Sequence, residues 1–288
     1  MRVVPALVDE MARVAQVLVA VCALALGTGA QAQCSKTLVV PVAPTGFNVI
    51  VEQDRVSGVY PDLLRSVAQS LNCKLDFPVV PRARAEAIFF RGDADVFIPS
   101  SQTSERDAKA RFVHLLNLTP SLVTFGPRGS MPEDMAGLLN QTSLRATFVR
   151  TYSWGDAYDD LLRKLEARSR VDYVVDLLVV GRMLKVGRTD FTILPATLLF
   201  SALNSGTPDA GFGGFQYTRL RDLPRSRVGA YLSTQSLTVR EQDALGAALL
   251  KAATDGTLKR ILEKYYPADI LKADIVFLTE DNTGHDKR

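Results

Sequence analysis

The chain contains few of the residues that enzymes use for metal and acid–base chemistry. Its 288 residues include only two histidines, His114 and His285. Neither lies near a Cys, His or carboxylate at the spacing of a metal site. The G-x-S-x-G, P-loop and dinucleotide-binding fingerprints are also missing from the sequence. We therefore expect no metal, no cofactor and no catalytic residue.

Charge of one sign is not concentrated anywhere along the chain. The 34 Lys and Arg residues are interspersed among 31 Asp and Glu residues, and the net charge is +3. A protein that binds nucleic acid normally carries a dense basic patch or stripe. The charge pattern therefore predicts no nucleic-acid partner.

Only one long apolar run is present, and it lies near the N-terminus. Residues 14–26 are almost entirely apolar, follow Arg2 and Arg13, and precede the small-residue sequence Ala30-Gln31-Ala32. The run is shorter than the ~20 residues that a membrane-spanning helix needs, and this three-part pattern is typical of a secretory signal. We expect residues 1–32 to be a signal peptide, cleaved near Ala32 during export to the periplasm. A buried N-terminal helix is the alternative.

Cysteine is also rare, with three residues in the chain. Signal cleavage would remove Cys22 and leave Cys34 and Cys73. In an oxidising compartment two cysteines tend to form a disulfide. The alternative is that Cys34 is a lipidated N-terminus, although Gln33 stands where a lipobox has Gly, Ala or Ser.

The remaining 250 or so residues alternate between predicted strands and helices. The first series begins with a strand at 38–42 and a helix opened by Pro61, and the second begins after a Gly- and Pro-containing loop at 126–132. Such alternation predicts parallel sheets with helical crossovers. Two α/β lobes are the expected architecture.

The segment Asp95–Phe112, DVFIPSSQTSERDAKARF, has the pattern of a ligand site. In open α/β sheets, ligands bind beyond the carboxyl ends of the strands. Ser100, Ser101 and Thr103 would offer hydroxyl groups there, and the guanidinium of Arg106 could bind a carboxylate through two parallel hydrogen bonds. The alternative is that Arg106 belongs to a solvated, charged helix face.

Several stretches of the chain together resemble the family 3 extracellular solute-binding proteins of bacterial ABC importers. They are SGVYPDLLRSVAQSLNCKLDF, PRARAEAIFFRGDAD, TSERDAKARF and DGTLKRILEKYY. The resemblance implies a type II periplasmic binding fold with two α/β lobes, each with a mostly parallel sheet flanked by helices. Two hinge strands, near Leu122–Phe125 and Val228–Leu232, would join the lobes. The implied segments are the first lobe at 33–125, the second lobe at 126–227, a return to the first lobe at 228–270 and a C-terminal tail at 271–288.

The same resemblance assigns roles to residues of the first lobe. Arg106 and Thr103 match the positions that bind a ligand carboxylate, and Ser101, with Ser100 beside it, matches a neighbouring hydroxyl contact. Arg84 matches a second anion contact found in some branches of the family, with Arg82 as a less favoured substitute. The resemblance also places Cys34 and Cys73 before neighbouring strands, which favours their pairing.

In the second lobe, the resemblance implies a site at the start of the helix that follows strand 145–150. The matching residues are Thr151, Tyr152 and Ser153. Pro195 stands where amino-acid-binding members carry the Asp that holds the ligand's ammonium group. The sequence therefore argues against an ordinary amino acid as ligand. Four aromatic residues of predicted cleft loops could stack on a flat ligand: Phe47, Tyr60, Tyr152 and Trp154.

These features predict a monomeric periplasmic protein that captures a small polar, anionic ligand between its lobes. It would deliver the ligand to an ABC permease, or signal to a membrane sensor. The alternative function is an enzyme on the same fold, similar to cyclohexadienyl dehydratases. Glu86 and Asp156 would then be the nearest candidates for a general acid or base.

Overall fold

The computed structural model describes residues 34–278 except 54, 128, 130, 151 and 205–212. The predicted signal peptide and residues 279–288 lie outside the described residues. No helix of the described part is long and apolar enough to cross a membrane.

The chain begins with a lobe built on short strands and amphipathic helices. Helix α1 shows the pattern most clearly, since Leu63, Leu64 and Val67 fall on one buried face. In chain order the elements of this part are β1 (Leu38–Val39), β2 (Ile50–Glu52), β3 (Arg55–Ser57), α1 (Val59–Ser70), β4 (Leu75–Asp76), α2 (Arg82–Phe90), β5 (Val96–Ser101), α3 (Ser104–Asp107) and β6 (Arg111–Leu118).

A second lobe follows, and the chain then returns to the first. The second lobe contains β7 (Ser121–Phe125), α4 (Met135–Asn140), β8 (Ala146–Val149), α5 (Asp156–Glu166), β9 (Val171–Val174), α6 (Leu177–Lys185), β10 (Thr192–Leu194), α7 (Ala196–Asn204) and β11 (Phe215–Arg219). The return consists of β12 (Ser226–Leu232), α8 (Val239–Thr254), α9 (Thr257–Leu262), α10 (Ala268–Asp274) and β13 (Ile275–Phe277).

The sheets contain more antiparallel pairing than the sequence predicts. The pairs β1–β4 and β8–β9 are parallel, as expected from strand–helix–strand units. In the four-stranded sheet of the first lobe, however, the order is β13-β6-β12-β5, and β12 runs antiparallel to both β5 and β6. The three-stranded sheet β10-β7-β11 of the second lobe is antiparallel throughout. The reason is that the chain enters and leaves each lobe through strands that run in opposite directions.

Each lobe has its own hydrophobic core. The first core contains α1, the middle of β6 and the buried faces of α8 and α9. The second contains Phe148, Tyr158 and Phe191, together with α6 and α7. Two cores of this kind allow the lobes to act as separate rigid bodies.

The chain passes between the lobes at positions slightly earlier than the sequence predicts. Residues 119 and 120 separate β6 of the first lobe from β7 of the second, and residues 220–225 separate β11 from β12. Leu122–Phe125 and Val228–Leu232, expected as hinge strands, pair within the sheets instead. The backbone N–H of Thr119 donates to the carbonyl of Asp274 at 2.9 Å, so the first crossing is attached to α10.

The predicted disulfide between Cys34 and Cys73 is confirmed, with the two Cα atoms 5.4 Å apart. It attaches the segment before β1 to the start of β4. Cross-linking residues separated by 39 positions stabilises a fold by about 4 kcal/mol in the chain-entropy model.

The ordered chain extends beyond the predicted start of the C-terminal tail. Residues 271–274 complete α10, and β13 pairs antiparallel with β6 at the edge of the first lobe's sheet. Sequence reasoning missed β13 because three residues, IVF, are too short a run to show a period.

Candidate functional site

A cavity lies where the two lobes face each other. The empty space inside it, including the open mouth, is about 560 Å³. The second lobe contributes Tyr152, Ser153, Trp154 and Leu198, and the first lobe contributes Thr45, Asn48, Tyr60, Arg82, Pro99, Ser100, Ser101, Arg106, Leu118 and Val228. This interlobe cavity is the candidate ligand site.

Arg106 lies on the wall of the cavity and is only 8% exposed. It belongs to the short helix α3, where the side chain of Thr103 caps the backbone N–H of Arg106 at 3.3 Å. Its Nε and Nη2 atoms both contact Oε1 of Glu86, at 2.9 and 2.8 Å, and its Nη1 donates to the carbonyl of Ser101 at 3.0 Å. The solvated-face alternative for Arg106 therefore does not fit the structure.

Arg82, rather than Arg84, is the second arginine of the cavity. Arg82 is the first residue of α2, donates from Nη2 to the carbonyl of Pro99 at 2.7 Å and lies 4.0 Å from the ring centre of Phe97. Arg84 is exposed and does not line the cavity. Residues two apart on a helix point in opposite directions, so only one of the two can face the cleft.

The positive charge of Arg82 has no close carboxylate partner among the described residues. Its printed contacts are a carbonyl and an aromatic ring. Burial, and next the positive charge of Arg106, lowers the pKa of Arg82 to about 10, although Glu86 opposes this shift. The guanidinium stays charged at neutral pH, and a partly buried charge without a contacting carboxylate is destabilising. An anion in the cavity would offset that cost.

The predicted hydroxyl groups are divided between the cavity and its supporting structure. Ser100 and Ser101 line the cavity, and Oγ of Ser101 accepts from Ser226 at 3.0 Å, which leaves its own hydrogen free to donate. Thr103 does not line this cavity and instead caps α3. In the second lobe, Ser153 lines the cavity but donates to Asp159 at 2.9 Å and accepts from the N–H of Gly155 at 3.1 Å.

Three of the four predicted aromatic residues line the cavity, namely Tyr60, Tyr152 and Trp154. Burial raises the pKa of the Tyr60 and Tyr152 hydroxyls, so both stay neutral. Trp154 donates from Nε1 to the carbonyl of Ile193 at 2.9 Å and packs against Tyr152 and Tyr158. Phe47 does not line the cavity, because it packs in an aromatic cluster with Phe200, Tyr265 and Tyr266.

Several cavity residues were missed by sequence reasoning. Thr45 and Asn48 lie in the loop after β1, and the rule that ligands bind beyond strand ends could have indicated them. Leu118, Leu198 and Val228 look like ordinary core positions in the sequence, and nothing local distinguishes them. Thr151, which the resemblance had suggested, lies outside the described residues.

The two carboxylates considered for an enzyme do not line the interlobe cavity. Glu86 is paired with Arg106, and Asp156 accepts hydrogen bonds from Ser104. His114 lies on β6, where Nε2 is 3.1 Å from the carbonyl of Leu116. No group of three or more potential metal ligands occurs among the residues that the structure describes.

The two lobes contact each other across the cleft. Oδ1 and Oδ2 of Asp156, at the start of α5, accept from the backbone N–H and the hydroxyl of Ser104, at 3.1 and 2.5 Å. Tyr152 of the second lobe and Thr45 of the first line the same cavity. The structure therefore represents a closed arrangement of the cleft.

The fold and the position of the cavity agree with a comparison with known families. The family described as "Bacterial extracellular solute-binding proteins, family 3" matches residues 38–268. The chain belongs to this family.

Solved structures with the same fold serve several roles. EhuB in complex with hydroxyectoine has a TM-score of 0.65 and 17% identity, covering 84% of this chain and 93% of its own. A histidine kinase sensor domain with similarity to periplasmic binding proteins has a TM-score of 0.64 and 12% identity, covering 80% and 95%. AncCDT-1, an ancestral amino acid-binding protein and precursor of cyclohexadienyl dehydratase, has a TM-score of 0.63 and 12% identity, covering 80% and 95%. None of the curated proteins matches the chain.

The sequence resemblance placed Pro195 where amino-acid-binding members carry an ammonium-binding Asp. Pro195 precedes α7, and the helix presents Leu198 to the cavity. The acid near this helix is Asp274, whose Oδ2 accepts from the backbone N–H of Thr197 at 2.5 Å. Asp274 thus caps α7 and is not among the residues that line the cavity.

Proposed function

We propose that the protein is a periplasmic solute-binding protein that captures a small carboxylate-bearing ligand in the interlobe cavity. It releases the ligand to the permease of an ABC importer and acts as a monomer. The proposal includes export to the periplasm after cleavage near Ala32. Membership of the solute-binding family supports the general role.

The observation that carries the proposal is the pair of arginines on the cavity wall. Arg106 and Arg82 both line the cavity, and Arg82 has no carboxylate partner among the described residues. A guanidinium can hold a carboxylate through two parallel hydrogen bonds. Ser101 and Tyr60 add neutral donors to the same cavity. The proposed contacts of the ligand are therefore Arg82, Arg106, Ser101, Ser100, Tyr60 and Tyr152.

Binding without turnover fits this lining better than catalysis does. The described residues of the cavity wall include no Asp, Glu or His, the side chains that serve most often as general acid or base. Glu86 and Asp156 are held by contacts elsewhere. Incubation with prephenate or arogenate should give no product, and turnover of either would replace binding by catalysis as the function.

The arginine pair can be tested with a substitution that separates function from stability. We expect Arg82→Met to weaken binding of carboxylates roughly 10- to 100-fold, because a charge-assisted hydrogen bond contributes about 1.5–3 kcal/mol. The same substitution removes a partly buried charge without a contacting carboxylate, so the ligand-free protein should melt at an equal or higher temperature. Binding is measured by calorimetry after a thermal-shift screen of carboxylates.

The matched control is Arg84→Met, on the exposed face of the same helix. It changes the net charge equally and should leave both affinity and melting temperature nearly unchanged. Equal loss of binding in both variants would refute a specific role for Arg82. A large loss of stability in Arg82→Met would instead assign this residue to the structure.

A further inference from the structure

The charged residues that line the interlobe cavity, taken with the carboxylate that contacts them, leave an excess of one positive charge. Arg82 and Arg106 supply two, and the carboxylate of Glu86 compensates for one of them through its contacts of 2.8 and 2.9 Å with Arg106. No other carboxylate lies on the cavity wall among the described residues. A ligand with a single negative charge would neutralise the site, whereas a dianion would leave an uncompensated charge in a closed space.

The described wall of the cavity has no carboxylate to pair with a ligand ammonium, and several of its oxygen atoms are already used. The carbonyls of Pro99 and Ser101 already accept from Arg82 and Arg106. The hydroxyl oxygen of Ser153 accepts from Gly155 and donates to Asp159. An ammonium group needs three acceptors or a carboxylate, and it would also lie close to two guanidinium groups. The lining therefore disfavours a zwitterion.

Part of the lining is apolar, whereas Thr45, Asn48 and Ser100 add polar side chains to it. Leu118 and Val228 contribute apolar surface from the first lobe, and Leu198 and Trp154 contribute it from the second. The indole N–H of Trp154 is used by the carbonyl of Ile193, so its ring offers apolar surface to the cavity. These four side chains suit a hydrocarbon body.

We infer that the ligand is a monocarboxylate with an apolar or aromatic body and no amino group, such as a 2-oxo or unsubstituted carboxylic acid. This inference rests on the proposed function and narrows it. The carboxylate is held by Arg82 and Arg106 at one end of the cavity. The apolar body lies against Leu118, Leu198, Val228 and Trp154, and closure of the lobes removes it from water.

Matched sets of ligands test the inference directly. One set is 3-phenylpropionate, phenylpyruvate and phenylalanine; another is 4-methylpentanoate, 4-methyl-2-oxopentanoate and leucine; glutarate serves as the dianion. We expect at least one acid without an amino group to bind at least tenfold more tightly than its amino acid and than glutarate, by calorimetry with the mature protein.

The outcomes separate the inference from the proposed function. An amino acid that binds as tightly as its deaminated partner would overturn the inference and leave carboxylate binding intact. Tighter binding of glutarate than of the acids without an amino group would overturn only the inferred single negative charge of the ligand. Absence of binding by all seven compounds at millimolar concentration would overturn both proposals.

A substitution on the opposite wall gives an independent test. Leu198→Asp places a carboxylate in the cavity, and Leu198→Asn adds a side chain of the same shape without the charge. If the inference is right, the ratio of affinities for leucine over 4-methylpentanoate should rise at least tenfold in Leu198→Asp relative to Leu198→Asn. An unchanged ratio between these two variants would show that an amino group is excluded by something other than a missing carboxylate.

Discussion

Glu86 determines how much positive charge the cavity offers to a ligand. Its Oε1 atom accepts from two nitrogens of Arg106, and its side chain is 21% exposed on the outer side of the arginine. The contact also fixes the orientation of the guanidinium, so that Nη1 reaches the carbonyl of Ser101. Glu86 is thus a positioning residue that also sets the charge of the site.

We expect Glu86→Gln to change ligand preference more than fold stability. The amide oxygen of Gln can still accept from Arg106, but the excess positive charge of the cavity rises from one to two. The affinity ratio of glutarate to 4-methylpentanoate should therefore increase, by roughly tenfold for ~1.4 kcal/mol of added attraction. Calorimetry with both acids measures the ratio. A ratio equal to that of the unsubstituted protein would show that Glu86 does not control charge selection.

The individual residues of the site were only partly predictable. Arg106 follows a strand end and a run of hydroxyl residues, and the family resemblance selected it over the solvated-face alternative. Arg82 could not be distinguished from Arg84, because α2 has no strongly apolar face and its sequence, RARAEAIFF, does not indicate which side is buried. Arg82 faces the cavity because it contacts Phe97 and Pro99 on β5, and these residues come close to Arg82 only after folding.

At the scale of elements, the second lobe depends on an acid supplied by the last helix of the first. Asp274 ends α10 and is 3% exposed, and it caps the N-terminus of α7 by accepting from the backbone N–H of Thr197. Burial raises the pKa of Asp274 to about 6, although the hydrogen bonds from Thr197 and Ala196 oppose the shift. Helix α7 carries Leu198 of the cavity wall. The cap by Asp274 therefore joins the ligand site to the C-terminal segment.

The raised pKa predicts how stability varies with pH. Between about pH 4 and 6 the folded protein binds a proton at Asp274 that the unfolded chain has released, so this residue contributes stability at low pH that is lost as the pH rises through 6. Two pKa units correspond to at most about 3 kcal/mol. In urea unfolding from pH 4 to 7, the unfolding free energy of the unsubstituted protein should therefore fall relative to that of Asp274→Asn.

A control for general charge effects is Asp269→Asn, at an exposed position of the same helix. Its free energy of unfolding should follow that of the unsubstituted protein across the whole range. If Asp274→Asn also stays parallel, the carboxylate of Asp274 is ionised at every pH tested and burial does not control it.

Most elements could be placed from the sequence because their patterns are local. The capping box at Thr238 and Glu241, read from four consecutive residues, is present at the start of α8. A strand at Val228–Leu232 was predicted, but its antiparallel pairing was not, because pairing of β12 with β5 and with β6 joins segments more than a hundred residues apart. Local patterns specify an element, whereas its neighbours depend on the whole chain.

At the scale of the whole molecule, affinity depends on the equilibrium between open and closed lobes. A ligand that binds only the closed form loses apparent affinity in proportion to the fraction of molecules that are open. The hydrogen bonds from Ser104 to Asp156 join α3 of the first lobe to α5 of the second. They therefore stabilise the arrangement in which Arg106, on α3, meets the second-lobe wall of the cavity.

We expect Asp156→Ala to shift the ligand-free protein toward the open form and to weaken carboxylate binding by roughly 3- to 10-fold, since two hydrogen bonds at an exposed site contribute ~1 kcal/mol. The radius of gyration from X-ray scattering should increase without ligand and return to the closed value at saturation. Asp160→Ala is the control, because Asp160 lies on α5 but pairs only with Arg163 and Lys164 of that helix. Asp156 also lies in the first turn of α5, so a double-mutant cycle with Ser104→Ala is needed to isolate the contact between the lobes. If the effects of the two substitutions simply add, the lobes are held closed by other contacts.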